Sequence, residues 1–373
     1  MEVDNTAGAA YQKATYDAVG QLASVTFPST SSGGTGNGSS GTFAFDPNTG
    51  ASTRVTWTFN GTNQPKVTDA VVRSQTGRVL QNTLTSGTTD YVSRYSYDGA
   101  GRLTGAAIPH HQLSYGFGPV SGCATGANAA AGANGNRTTF SDSLDGATAS
   151  TTTSCYDGAD RLIGTTVANP QPGAVGVFAI NLSTAPGAPG LASLVYDARG
   201  NTTKLADQTI EYDSTDRHTS TAATDGSKIT YIRDVTDRII ARTTITGGTT
   251  ATVYYSFNDG SDSPDWTLSA IASGTVLERT QTLVGGVVVS VQNNAAAWTW
   301  SYPNLHGDVV VTTNASGVRN PGVFLYDPFG NPLDCTTWRI GTTPANNTAP
   351  SNTIPSGTSY GWEGSHQKLY EHT

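Results

Sequence analysis

Charge is scarce in this chain. Of its 373 residues, 13% are charged, about half the roughly 25% of an ordinary soluble domain, so neutral polar groups must dress the surface. Lysine and glutamate number five each and methionine one. Without these helix formers, a helical bundle, a coiled coil or a doubly wound α/β enzyme with long amphipathic helices is excluded. Bases are outnumbered by acids, 20 to 28, giving a formal net charge of −8 and a pI of about 5.1. A general nucleic-acid binder is thereby excluded, because phosphate neutralisation needs clustered Lys and Arg. The longest apolar run, around residues 287–289, is far short of the roughly 18 residues of a membrane helix. No basic segment followed by an apolar stretch opens the chain, so no signal peptide is visible. Three cysteines are too few for a disulfide scaffold, and no CxxC or Cys–His metal spacing occurs.

What is present is threonine (58), serine (34), glycine (43) and proline (17). Thr is β-branched and suits the pleated, half-buried surface of a sheet, so the chain reads as all-β. Its length exceeds the roughly 250 residues of a single core, which calls for several cores or an extended repeat.

A repeat is there. Tyr-Asp, two residues, Gly or Asp, a polar residue and an apolar one recur as YDAVGQL (16–22), YDGAGRL (97–103), YDGADRL (156–162), YDARGNT (196–202), YDSTDRH (212–218) and YDPFGNP (326–332). RSQTGRV (73–79) and IRDVTDRI (232–239) are degenerate copies. Asp followed three residues later by Gly suits a type I turn, with Gly in the left-handed conformation that closes a bulged hairpin. The motif residues Tyr16, Asp17 and Gly20; Tyr97, Asp98, Gly101, Arg102 and Leu103; Tyr156, Asp157, Arg161 and Leu162; Tyr196, Asp197, Gly200 and Asn201; and Tyr326, Asp327, Gly330 and Asn331 are therefore assigned to turns. Tyr97 and Leu103 should face each other across neighbouring strands. Asp160, Asp216 and Asp237 replace that Gly as a tolerable second choice. One such hairpin is unstable alone and must stack on the next.

Between the hairpins, SSGGTGNGSSG (31–41) reads as a flexible low-complexity loop with nothing to bury, and APGAPG (185–190) and 342–357 as surface excursions. Strand-like runs cover 52–59, 250–257, 282–292 and 297–302. Cys123 and Cys155 bracket 31 residues rich in Ala, Gly, Asn and Thr. Either one bridge closes that loop, which implies an oxidising compartment, or they are two unrelated small residues in strands.

Catalysis has little to stand on. The regular aspartates belong to turns, and no spacing selects a glycosidase carboxylate pair from 28 acids. Asp259, Asp262 and Asp265 in NDGSDSPDW do not follow the alternating calcium-loop pattern and read as an acidic turn. His110 and His111 are adjacent, so on a strand they face opposite ways, and His306 reads as packing or hydrogen-bonding within a turn. There is no HExxH, GxSxG or phosphate-binding loop. The expectation is a chain with no catalytic residues, no metal site, no cofactor and no membrane span.

The YDxxGRL hairpins, with YPNLHGDVVVTTNASGV (302–318), FLYDPFGNPL (324–333) and the closing GWEGSHQKLYEHT (361–373), resemble the Rhs/YD-repeat proteins along nearly the whole chain. The resemblance implies a ribbon of β-hairpins coiled into a hollow shell. In bacterial polymorphic toxins and insecticidal toxin complexes such a shell encloses a variable C-terminal toxic domain, and in teneurins a similar one serves adhesion. It implies a repeat region over 1–297 and the start of a repeat-associated core over 298–373. It further implies a structural role, a C-terminal toxin or effector or its immunity partner as the partner, and secretion or surface display as part of a longer protein. The DPxGxxG segment at which toxin-class members cut themselves does not occur here, so the chain reads as an incomplete shell. The alternative implied by the family is an adhesion module, with Tyr97, Tyr156, Tyr196 and Tyr326 stacking cell-surface carbohydrate. Against it stands a packing ladder from hairpin to hairpin.

Overall fold

The computed structural model describes the backbone of residues 2–4 and 347–348, and residues 9–185, 190–258, 260, 263–270, 274–292, 298–346 and 361–364 in full. Among the described residues, 26 strands follow one another from Glu2–Asp4 to Val309–Thr313, each paired with the next in sequence. The only α-helix among them is Thr343–Thr348. The protein is an all-β stack of hairpins in one open sheet, as the wealth of Thr and the repeated turns lead one to expect.

The pairings are antiparallel with one exception. The two-residue strand Leu182–Ser183 runs antiparallel to Leu162–Ala168 but parallel to Ala192–Tyr196. A parallel pair cannot be joined by a two-residue turn, and the chain before it makes an excursion that reaches another layer: Val175 N–H donates to Gly341 O at 2.8 Å, and Ala174 bridges Thr342.

The apolar residues of alternate strand positions meet the last part of the chain. Strand Ser52–Thr58 turns Val55 and Trp57 inward. With Val25, Phe27, Phe59, Val67 and Leu84 they pack against Leu283, Val287, Val289, Trp300, Tyr302 and Val310. A second cluster joins Ala106, Ile108, Leu113 and Tyr115 to Leu333 and Ile340. The C-terminal strands thus cover one face of the N-terminal ribbon. From Ala192–Tyr196 to Thr249–Ser256 the ribbon has few fully buried side chains, Leu194, Ser220 and Ala241 among them.

Three sequence expectations need correction. Residues 31–41 are not a loop with nothing to bury. Asn37 and Ser39 are 1% and 2% exposed. Asn37 Oδ1 accepts from Ser39 N–H and Oγ, while its Nδ2 donates to Tyr302 Oη at 2.7 Å and Thr313 Oγ1 at 3.1 Å. Gly34 and Gly36 lie so close to Pro28 and Phe27 that a Cβ would stand 2.3 Å and 2.6 Å from backbone atoms, so glycine here permits close approach. Second, 282–292 is a hairpin between Val276–Thr282 and Val288–Gln292. Gly285 and Gly286 both have positive φ, and a Cβ at Gly285 would stand 3.0 Å from Phe43 and 3.2 Å from Trp57. Third, the stretch from residue 342 begins with buried Thr342 and Ala345 in and beside the helix. Residues 186–189 and 349–357 of the expected surface excursions lie outside the described residues.

Candidate functional site

The repeat residues build one turn many times over. In YDGAGRL, Asp98 Oδ1 accepts the N–H groups of Ala100 and Arg102 at 3.0 and 2.9 Å, and its Oδ2 accepts Arg102 Nε at 2.7 Å. Gly101 closes the turn at φ +84°, where an L side chain is strained. Asp157 with Arg161, Asp197 with Asn201 and Asp327 with Asn331 repeat all three contacts, and Asp17 repeats the two to backbone at Val19 and Gln21. Gly20, Gly200 and Gly330 hold the left-handed position, and Asp160, Asp216 and Asp237 replace them at φ 61°, 64° and 73°. Beyond each turn the register slips by one residue and Tyr faces the motif's last position: Tyr16 with Leu22, Tyr97 with Leu103, Tyr156 with Leu162, Tyr196 with Thr202. Tyr326 and Pro332 form an isolated bridge.

The tyrosine hydroxyls tie hairpin to hairpin. Tyr97 Oη donates to Val79 O at 2.8 Å, Tyr156 Oη to Arg137 O at 3.0 Å, Tyr196 Oη to Leu162 O at 2.8 Å and Tyr326 Oη to Val309 O at 3.1 Å. Burial pushes the Tyr97 and Tyr196 hydroxyls above their ordinary pKa, so they remain protonated donors. In three of the turns the opposite holds. Hydrogen bonds from Arg102 and Arg161 keep Asp98 and Asp157 below the usual carboxylate range, and the Asn201 amide does so for Asp197.

Two turns of the same build went unrecognised in the sequence because Asn replaces Asp. Asn304 Oδ1 accepts the N–H groups of His306, Gly307 and Asp308, and Asn314 Oδ1 accepts those of Ser316 and Val318. An Asn-x-x-Gly spacing would have found both. Cys123 and Cys155 are bridged. The bridge ties the segment after strand His111–Gly116 to strand Ser150–Tyr156, and Asn128 N–H donates to Tyr156 O beside it at 2.7 Å.

The ribbon and the C-terminal segment border a cavity of about 510 Å³. It brings together Tyr97, Leu103, Tyr326 and Asp327 of the repeat residues; the others remain at their own turns along the ribbon. Asp69, in strand Val67–Arg73, enters this cavity with no local sequence signal: Oδ2 accepts Leu305 N–H at 2.8 Å, from 236 residues away, and Asn82 Nδ2 donates to Oδ1. Asp308 Oδ1 faces His306 Nδ1 at 2.9 Å and accepts Glu363 N–H at 3.0 Å. Burial raises the carboxyl pKa of Asp69 and of Asp327, and pushes Tyr95 up to about 12. His306 is raised by its hydrogen bond with Asp308. The aromatic side chains of Tyr91, Tyr95, Phe324 and Trp362 line the cavity beside these polar groups.

Among the described residues no three His, Cys, Asp or Glu side chains gather to hold a metal ion, and no helix is long and apolar enough to cross a membrane. Of the acidic cluster read in the sequence, Asp265 accepts Asn258 N–H at 2.7 Å, while Asp259 and Asp262 lie outside the described residues.

No protein-family model and no curated protein matches the chain. Solved structures do. A crystal structure of TcdB2-TccC3-TEV matches with a TM-score of 0.55 at 14% identity, over 98% of this chain and 19% of that one. One of TcdB2-TccC3 gives 0.55 at 15%, over 95% and 18%. One of TcdB2-TccC3 without its hypervariable C-terminal region gives 0.51 at 14%, over 95% and 17%. The chain spans about a fifth of the length of these structures, and over nearly all of its own length it is similar to them in fold.

Proposed function

We propose that this chain is a structural, non-catalytic stretch of an Rhs/YD-repeat shell that encloses or displays another polypeptide, a C-terminal toxin or effector. The observation that carries the reading is the likeness in fold, over 95–98% of the chain, to TcdB2-TccC3 structures. One of those is described as lacking a hypervariable C-terminal region, which makes a variable polypeptide beside a constant β scaffold a natural pairing. The ladder supports the same reading, since its aspartates hold turns and its tyrosine hydroxyls join neighbouring hairpins rather than facing a substrate. Secretion or surface display as part of a longer protein follows from this role, and the Cys123–Cys155 bridge fits an oxidising compartment.

The test is protease protection of the product of the whole reading frame, purified intact. Any polypeptide beyond the shell should resist digestion in the native protein and be degraded once the sheet is unfolded in denaturant. Digestion at the same rate in both states would refute enclosure.

A further inference from the structure

We propose that His111 is a protonation-dependent latch that fastens the C-terminal segment 333–342 to the ribbon. His111 opens strand His111–Gly116 with its side chain fully buried. Its Nδ1 lies 2.6 Å from Asp142 Oδ1, and its Nε2 lies 2.6 Å from the Trp338 carbonyl. Both neighbours are acceptors. The other oxygen of Asp142 already accepts Gln171 Nε2, so that carboxylate serves as an acceptor on both sides. An imidazolium can donate to both neighbours at once, whereas a neutral ring has a single N–H. In the neutral ring the proton stays on Nδ1, because a carboxylate holds a donor more strongly than an amide carbonyl does. Deprotonation therefore leaves the Trp338 carbonyl facing a lone pair.

The other described histidines lack this arrangement. His306 and His110 use Nδ1 toward Asp308 and Asp145, and His218 uses Nε2 toward Thr221. His111 alone among them has acceptors on both ring nitrogens and joins two layers through them.

The groups around His111 agree on the sign. Asp142 faces it from the neighbouring strand and Asp327 acts on it from the C-terminal segment, both favouring the cation, while burial opposes it. His110, stacked on the Trp338 ring at 4.4 Å, is held by Asp145. Asp334, in the turn that presents Trp338, accepts Thr336 and Thr337 N–H, and Arg339 follows Trp338 in that turn. The balance raises His111 above its ordinary value. A raised value in the folded state means that the latch contributes fully below about pH 6.5, the free-histidine value, and is lost as pH rises through the folded one. The segment it releases carries Leu333 and Ile340 of the second core cluster. The latch acts on the chain itself and is independent of whether a polypeptide is enclosed.

Amide hydrogen exchange of residues 333–342 in the intact chain, corrected for intrinsic rates and followed from pH 5.5 to 8.5, tests it. The His111 ring is titrated in parallel by NMR. Protection should fall about tenfold, the worth of one charge-assisted bond, at the midpoint of the His111 titration. His111→Gln should abolish that pH dependence. Protection that stays level while His111 titrates, or that falls at the same midpoint in His111→Gln, overturns the latch. Should His111→Gln fail to fold, Asp142→Asn serves: its neutral acceptor should move the midpoint to lower pH, and an unmoved midpoint overturns the proposal equally.

Discussion

Tyr302→Phe isolates the contact that turns residues 31–41 from a loop into part of the core. Tyr302 is fully buried, and its hydroxyl meets Asn37 Nδ2 and Ser39 Oγ at 2.7 Å each and Thr313 Oγ1 at 3.3 Å. None of the three is orphaned by removing it. Asn37 Nδ2 keeps Thr313 Oγ1 at 3.1 Å, Ser39 Oγ keeps Asn37 Oδ1 at 2.6 Å, and Thr313 Oγ1 keeps Asn314 O at 3.1 Å. The ring also stays between Trp57 and Phe59, at 5.2 Å from each. The loss is therefore that of one or two net hydrogen bonds without an unsatisfied buried group, about 1–2 kcal/mol. Tyr302→Ala would add a cavity and cost about 3–5 kcal/mol. Asn37→Ala removes the same contact from the other side, so the double variant with Tyr302→Phe should cost less than the sum of the singles by about 1 kcal/mol. Urea unfolding read by tryptophan fluorescence measures these costs, with Trp57 packed on the Tyr302 ring. A Tyr302→Phe curve superimposed on that of the unaltered chain, or strict additivity with Asn37→Ala, would refute the docking of Asn37 and Ser39 on Tyr302.

Reduction of the Cys123–Cys155 bridge, which spans 32 residues, should lower stability by about 3.7 kcal/mol through loop-closure entropy; equal urea midpoints with and without reductant would contradict this. The depressed carboxylates of Asp98, Asp157, Asp197, Asp213 and Asp234, the last at about 2, contribute stability present above about pH 3.9 and lost as pH falls through their folded values. Asp69 and Asp327 are raised and act in the opposite sense, but above the free-carboxylate value rather than below it, so between about pH 4 and 2 the turn carboxylates set the slope and the melting temperature should fall; a level or rising profile would show that the turn hydrogen bonds do not hold.

Local features were legible in the sequence and distant ones were not. The Asp98–Gly101 spacing encodes a turn whose contacts all lie within five residues, so composition and spacing suffice to read it. Asn304 and Asn314 were missed only because an amide oxygen does there what a carboxylate does elsewhere. Residues 31–41 misled because glycine-rich composition signals flexibility and close approach alike, and only the facing strand tells them apart; Asn37 finds Tyr302 265 residues away. Asp69 likewise meets Leu305 only once the C-terminal strands have folded back. A polar residue within a strand gives no hint of which layer will cover it.

The direction of the tyrosine ties has a consequence for synthesis. Tyr97, Tyr156, Tyr196 and Tyr326 each bond to a carbonyl earlier in the chain, so each of these four tyrosines finds its acceptor already made when it leaves the ribosome. The core is the exception. The apolar face ending at Leu84 gains its cover only from Leu283 onward, about 200 residues later, which at usual translation rates leaves it bare for roughly 10–40 s. A nascent chain with that exposed face is the stage at which a chaperone would bind, and the strands that follow Leu283 are the ones that displace it.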